Sequence, residues 1–583
     1  MLLYQPQTEP NKTKALKTLF VFLVLVSFVI PALALDHRYG GEIVLAAASD
    51  PKTFNDIVAS EASSSLVTGV LFEGLTREDP FTLKVIPNLA QSWEVSKDGL
   101  TWTFNLRHDV LWFDGTLFTA DDVIFTFHDL IYNPKIPTSS KDIFTVEGKE
   151  FEVTKVDDYT VSFTLPKKFA PFLRSMSQPI LPKHCLEKSV RDGKFPFTWG
   201  IDTAPHDIIG TGPFYLDEYR PGERLVFKRN PHYWKQDSGQ QLPYLDKIIY
   251  VIVSDPDAVL LKFIDGEIDS IGVQGQNYPL LKPLEVKRNF KIFEAGAGFD
   301  SSFLVFNQNP GINSETKKFY MDPIKRSWFE NVNFRRALAH CIDKKKMIQI
   351  LFNELGFSED GPMSPSSGFY YNPRIRIYDY DLDKAKKILQ EGGFVYKGKI
   401  LYDSSGHKVE FNLCTSTSSQ HSENIQMAYM IRADLEKLGI KVNFLQVEFN
   451  TLVSKLMSSY DWDAILIGLT GSPEPHFGKN VWESSGQLHL WNPKQKQPLT
   501  LWERRLDEIY NQAASELDED KRKVLYDEFQ VIAADELPMI YTVLEANIYA
   551  VRNRFGNLKP SAYAGAFHNI EEIYILKPEI KRP

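Results

Sequence analysis

Gly393-Phe-Val-Tyr-Lys-Gly398-Lys399 has the spacing of a phosphate-cradling loop, in which backbone N–H groups and a lysine hold a nucleotide's phosphates. Ile400 stands where that loop needs a Ser or Thr for magnesium, and a helical pattern precedes it where a strand is required. The run therefore reads as a helix stop leading into a hairpin. Gly296-Ala-Gly298 lacks the third glycine and the following helix of a dinucleotide site. The 12 histidines are dispersed, none in a His-Glu-x-x-His pattern, and His184-Cys185 alone brings too few donors to hold a metal. A Gly-x-Ser-x-Gly elbow is absent, and nothing singles out two of the many carboxylates as an acid–base pair. The expectation is a non-enzyme with no catalytic residue, metal or cofactor. Binding chemistry is better represented: Ser49, Asp50 and Phe54 follow an opening strand, Glu42-Ile-Val-Leu-Ala, at the place where α/β sheets commonly expose ligand groups.

The first segment carries Lys12, Lys14 and Lys17, then an apolar run from Leu19 to Leu33 and the small-residue pattern Ala32-Leu33-Ala34. That is the layout of a secretory signal peptide cleaved after Ala34, with an apolar run shorter than the roughly 20 residues that span a bilayer. No cysteine near the cleavage point could carry a lipid, so a soluble periplasmic protein is expected. Losing three lysines and Glu9 with residues 1–34 takes the formal net charge from −9 to −11, which argues against nucleic acid and anionic lipid as partners. A chain of 583 residues exceeds one core and predicts at least two domains. Cys185, Cys341 and Cys414 are too few and too far apart for a disulfide framework, and at most one bridge is possible. Cys341 is expected to pack as a small hydrophobe inside a helix.

The elements that must position any site are legible in the periodicities. Leu100, Trp102, Phe104 and Leu106 alternate with polar residues, as does Tyr159–Leu165, and both read as half-buried strands. Between them, Thr119 with Asp122 makes a capping-box start for a helix. Pro221-Gly222 supplies a hairpin bend, and a helix through Val259–Ile264 stops at Gly266. Farther on, Asn333, Asp343, Asp381 and Ser422 are placed to cap helices, with Gly392-Gly393 and Gly439 as stops. KVNFLQV and DAILIGL read as strands of a second sheet. Alternating strands and helices give an α/β class. Lys291–Asn307, with Gly296 and Gly298, and Leu537–Tyr549, with Thr542, read as crossings between lobes.

The run from Ala90 through Trp93, Asp98-Gly99, Trp102, Phe104 and Arg107, continued by Phe113-Asp114-Gly115 and Thr119-Ala120-Asp121-Asp122-Val123, resembles the signature of the family 5 extracellular solute-binding proteins of ABC importers. Matches continue in the same order: Gly210-Thr211-Gly212-Pro213-Phe214, Arg229–Trp234, Gly266–Asp269, Asn333–Leu338 and Tyr380–Ala385. Most of these residues are scaffold, so the signature speaks for fold and not for ligand. The resemblance implies a two-lobed α/β, periplasmic-binding-protein type II fold with an extra α/β domain inserted in lobe I. The expected boundaries are residues 36–80, 206–292 and 541–583 for lobe I, 81–205 for the insert and 293–540 for lobe II. Hinges are expected near 291–307 and 537–549. The implied role is hinge closure of a monomer over a small ligand, followed by docking on an inner-membrane permease.

In peptide-binding members an extended peptide pairs with strands lining the cleft, and an acidic residue after a second-lobe strand holds its amino group. Aligned on the Glu474-Pro475 pair, that position here is Gly471, so the carboxylate is missing. The resemblance assigns Leu469, Thr470, Gly471 and Glu474 to the cleft and sets Phe449 where relatives place an aromatic near a side-chain pocket. Glu474 is either a substitute anchor or a solvated loop carboxylate. Peptides or peptide-like molecules lead as ligands, with oligosaccharides or metal chelates as the alternative that Gly471 favours; an enzyme or chaperone reusing the fold is the alternative from another class.

Overall fold

The computed structural model describes residues 38–138, 140–417 and 422–576, so the leader-like run over residues 1–34 lies outside the described residues. Among the described residues no helix is long and apolar enough to cross a membrane.

β1 (Glu42–Ala47) turns Ile43, Leu45 and Ala47 into the core, and α1 (Ala62–Leu71) follows. The next segment forms a separate antiparallel sheet, in the order β2-β3-β5-β4, from β2 (Ala90–Val95), β3 (Thr101–Leu106), β4 (Glu152–Asp157) and β5 (Thr160–Thr164). The alternation of β3 buries Trp102, Phe104 and Leu106, and the Phe104 ring meets Phe163 edge-on at 5.6 Å. Between β3 and β4, α2 (Ala120–Ile124) begins at the Thr119/Asp122 capping box. After β5, α3 (Lys183–Arg191) leads back toward the first lobe. This subdomain shares its core with that lobe: one apolar cluster runs from Ile43 through Trp102 and Phe163 to Ile573.

β6 (Phe214–Arg220) and β7 (Arg224–Arg229) form the hairpin that Pro221-Gly222 bends. With β8 (Lys247–Ile252), which runs parallel to β1, they complete the sheet β1-β8-β7-β6. β9 (Ser270–Gly272) and β10 (Phe290–Ala297) belong to a further sheet at the base of this lobe. Past Gly298 and Phe299 the chain enters the second lobe as β11 (Asp300–Phe306).

In the second lobe α4 (Val332–Cys341) is capped by Asn331, whose side chain accepts from Asn333 N–H and Phe334 N–H. The expected cap, Asn333, is corrected: it already lies in the first helical turn, and Asn331 has the extended backbone that lets a side chain reach back over those donors. Asp343 caps α5 (Lys344–Phe352), which β12 (Gly356–Ser358) follows, and Asp381 and Gly392 bound α6 (Leu382–Glu391). The glycine-rich run at 393–399 is a helix stop feeding an antiparallel hairpin, Val395–Lys397 with Ile400–Tyr402.

β13 (Glu410–Ser416), α7 (Ser422–Lys437), β14 (Lys441–Val447), α8 (Phe449–Ser454) and β15 (Ala464–Thr470) build the second sheet, in the order β14-β13-β15-β11. β13 runs parallel to both β14 and β15, whereas β11 is antiparallel to β15. Long helices α9 (Leu501–Ser515) and α10 (Glu519–Glu536) cover one face before β16 (Met539–Tyr541) completes the sheet on the far side of β11. Both faces of β11 are buried, Leu304 and Phe306 in a cluster with Phe334 and Phe411, Phe303 and Val305 in one with Trp491 and Tyr526. The sheet is mixed, with two parallel and two antiparallel pairings, and β11 lies antiparallel to both its neighbours with apolar clusters on either face. β17 (Val543–Arg552) then returns to the first lobe, pairing with β12, β9 and β10. The three cysteines are free, and Cys341 is a buried helical residue as its pattern predicts.

Candidate functional site

The parallel strands β13, β14 and β15 end at one edge of the second sheet, where β11 begins: Ser416 lies beside Val447 and Asp300 beside Thr470. Carboxyl ends of parallel strands are where α/β sheets present ligand-binding loops. Thr470 and Gly471 are exposed and Leu469 half-buried at this edge. Gly471 N–H donates to the Phe299 carbonyl at 3.0 Å, and a Cβ built on Gly471 would stand 2.3 Å from that oxygen. The chain crossing at Phe299 thus occupies the space a side chain needs, which gives the absent carboxylate a steric cause. Phe449, first residue of α8, is 49% exposed and lies just past the end of β14.

Glu474, three residues past Gly471, is only 2% exposed, which rules out a solvated loop carboxylate. Its Oε1 and Oε2 accept from the two Nη atoms of Arg522 at 2.5 and 3.2 Å. Arg522, on α10, also donates to Tyr370 Oη at 3.0 Å and to the Ala513 carbonyl at 3.0 Å. Burial pulls the Arg522 guanidinium toward losing its proton, but Glu474, Tyr526 and Tyr370 outweigh it and hold the charge more firmly than usual. The other face of Glu474 meets the first lobe: Arg174 Nε is 3.8 Å from Oε2. Arg174 is itself held in its own lobe by Glu78 at 2.5 Å and by the Leu83 carbonyl at 2.7 Å. The four groups form a row of alternating sign, Glu78, Arg174, Glu474, Arg522, that spans the lobe boundary.

Neighbouring contacts close the same boundary. The Phe169 ring meets His476 edge-on at 5.3 Å, and Ala170 N–H donates to the Ala514 carbonyl at 2.7 Å. Burial, with Arg522 and Lys479 close by, pushes His476 down to about 3, so it stays neutral and packs as an aromatic.

At the opposite end the lobes are joined by the chain itself. Gly296 has φ of +122°, a conformation few side chains adopt, and a Cβ on Gly298 would stand 3.0 Å from the Glu545 carbonyl. Thr542, between β16 and β17, donates through N–H and hydroxyl to the Ser302 carbonyl at 3.0 and 2.6 Å. Glu359 binds both crossings: its N–H donates to the Thr542 carbonyl at 3.1 Å, and its carboxyl accepts from the Ser301 hydroxyl at 2.6 Å. Burial pushes Glu359 up to about 8 against the opposing pull of Ser301 and Lys344.

On the first lobe Ser49 is exposed. Asp50 instead clamps the β6–β7 hairpin, accepting from Tyr219 Oη and Gly222 N–H at 3.0 Å each. Phe54 is fully buried and packs edge-on against Tyr219 at 5.5 Å, so it serves the core and does not offer its ring to a ligand. Sequence reasoning missed Arg174, Arg522, Tyr370 and Glu359. Nothing local distinguishes them from other charged or aromatic residues; their partners are brought in from distant segments.

The sequence profile of the bacterial extracellular solute-binding proteins, family 5, matches residues 84–487. A probable ABC transporter-binding protein of Deinococcus radiodurans is 29% identical over 550 residues, 89% of each chain. The dipeptide-binding protein of Escherichia coli is 26% identical, covering 85% of this chain and 88% of its own. Among solved structures, NikZ of Campylobacter jejuni in complex with Ni(L-His) has a TM-score of 0.69 at 24% identity, over 91% of this chain and 99% of that one. The chain belongs to the bacterial extracellular solute-binding proteins, family 5.

Proposed function

We propose that the protein is exported, captures a peptide or peptide-like solute between its two lobes, and delivers it to the inner-membrane permease of an ABC importer. The observation that carries capture by closure is the ion row across the boundary. Each lobe keeps its own ion pair, Glu78–Arg174 in one and Glu474–Arg522 in the other. Separating the lobes therefore strands no buried charge, and closing them adds an attraction at 3.8 Å without new unpaired groups. Opening is cheap, and a solute that touches both lobes can shift the population toward the closed form. Ser49 on one lobe and Phe449, Leu469, Thr470 and Gly471 on the other are the residues we assign to solute contact, with turning at Gly296, Gly298 and Thr542. We likewise assign residues 36–80, 206–292 and 541–583 to lobe I, 81–205 to the insert and 293–540 to lobe II.

The peptide reading rests on the accessible strand end at 468–471, which offers backbone groups for pairing, and on the dipeptide-binding relative. Gly471, which leaves no room for an acid, favours a second reading in which the solute lacks a free amino group, as an oligosaccharide or a metal chelate does. A thermal-shift screen of the protein against peptide, oligosaccharide and nickel-chelate libraries separates them, since a solute bound only by the native state raises the melting temperature. Shifts with peptides are expected. No shift with any peptide, alongside a clear shift with a glycan or chelate, sinks the peptide reading, and turnover of the hit overturns the binding role.

A further inference from the structure

Away from the lobe boundary, two segments of the inserted subdomain bring together donors that the sequence keeps 70 residues apart. The Phe113-Asp114-Gly115 turn presents the Asp114 carboxylate, and the first turn of α3 presents His184 and Cys185. One ligand atom from each of the three lies within 4.8 Å of the others, and this is the only such group among the described residues. The placement has a structural cause. Asp122, the capping-box residue of α2, accepts from Thr119 N–H at 3.0 Å, from Lys183 N–H at 2.9 Å and from Trp112 Nε1 at 3.3 Å. One buried carboxylate thereby fixes the start of α3 against Trp112, two residues before Asp114.

The geometry points to a transition-metal site formed by Asp114, His184 and Cys185, one that takes a borderline ion of the zinc, cobalt or nickel kind. The donor set of carboxylate oxygen, imidazole nitrogen and thiolate sulfur suits such ions and disfavours magnesium or calcium. His184 Nε2 and Asp114 Oδ2 are 2.8 Å apart. A tetrahedral ion bound at about 2.0 Å by each needs them about 3.3 Å apart, so this pair opens by about half an ångström, and the Cys185 sulfur, which lies within 4.8 Å of both, closes to about 3.5 Å. Both side chains are about one-third exposed, at 32% and 33%, which provides an entry path and room for water as a fourth ligand. Burial, and then the negative charge of Asp114, Asp122 and Asp207, pushes the Cys185 thiol up to about 12, so it is a ligand only where an ion displaces its proton. Binding is an exchange: the His184 imidazole turns its Nε2 lone pair to the ion with its proton held on Nδ1, the Asp114 carboxylate gives up its hydrogen bond to His184, and the Cys185 thiol releases its proton to solvent. Thr116, which bonds Asp114, and Trp112, whose ring lies beside His184, belong to the same subdomain, so the site is independent of solute capture.

Cobalt(II) is the probe, because a sulfur ligand adds a near-ultraviolet charge-transfer band that oxygen and nitrogen ligands do not. The chelator-treated full chain is expected to take up one ion with that band. Cys185→Ser is expected to abolish the band, and Asp114→Asn and His184→Gln to weaken binding about tenfold or more. Circular dichroism and the solute-induced melting shift should be unchanged in Cys185→Ser, which keeps the result separate from any folding defect in the other two. No uptake by the native chain, or a band that persists in Cys185→Ser, overturns the site.

Discussion

The two lobes meet in two places built on different principles. At the crossing, β10 continues into β11 and β16 into β17, and Thr542, Ser302, Ser301 and Glu359 are stitched by backbone and hydroxyl hydrogen bonds. At the far contact no chain crosses: Arg174, Phe169 and Ala170 rest on Glu474, His476 and Ala514. On the proposed closure, the crossing would keep its bonds in both forms, whereas the far contact would exist only while the lobes touch. A substitution at the crossing should therefore act on folding, and one at the far contact on the balance between closed and open forms, unless it strikes a charge that its own lobe has buried.

That last case gives the largest expected effect. Arg522→Ala leaves Glu474 buried without its partner and should cost about 3–5 kcal/mol of second-lobe stability in denaturant unfolding. An unchanged midpoint would mean that the ion row does not hold the lobe together. Gly471→Asp comes next: Phe299 blocks the new side chain, so the end of β15 must move, at a cost of about 1–3 kcal/mol. A gain in amine-peptide affinity without loss of stability would break the steric account of the missing acid.

The crossing has its own pH signature. Glu359 titrates near 8 in the folded chain, against an ordinary 4.5, so the unfolded chain ionises first as pH rises. Stability from its protonated form is complete below about 4.5 and is lost as pH climbs to about 8, on the order of 1 kcal/mol per pH unit at most. Glu359→Gln, which keeps an acceptor for Ser301, should flatten the unfolding midpoint across that window; an unchanged pH profile would place the titration elsewhere. The smallest effect is expected from the lobe-to-lobe pair alone. A double-mutant cycle of Arg174→Gln and Glu474→Gln, read by solute dissociation rate, should show a coupling of about 0.5–1 kcal/mol. A zero coupling would show that the row is merely adjacent and does not help closure.

The scaffold was largely legible in the chain. The alternation of β3, the Thr119/Asp122 box, the Asp343 and Asp381 caps and the Gly266 and Gly392 stops are each encoded within a few residues, because side-chain period and capping act over one turn or one strand. The Asn331 cap shows the limit: two asparagines two residues apart compete, and backbone conformation chooses between them.

Of the site, only a part could be read. The strand end at Leu469–Gly471 and the two sheet changes follow from local pattern, and the lack of an acid at Gly471 is visible as a letter. That Phe299 forbids a side chain there is not, since the two residues lie in different segments and meet only across paired strands. In the same way the letters Glu474, Arg522 and Arg174 are ordinary surface charges in one dimension. Folding buries the first two and draws the third across the lobe boundary, and a charge's role depends on its burial and its partner. The sequence by itself determined which elements form and where they stop, through interactions of short range. Which carboxylate is free, which is paired, and which donors come together around Asp114 were decided by the tertiary structure, because electrostatics and steric exclusion act through space.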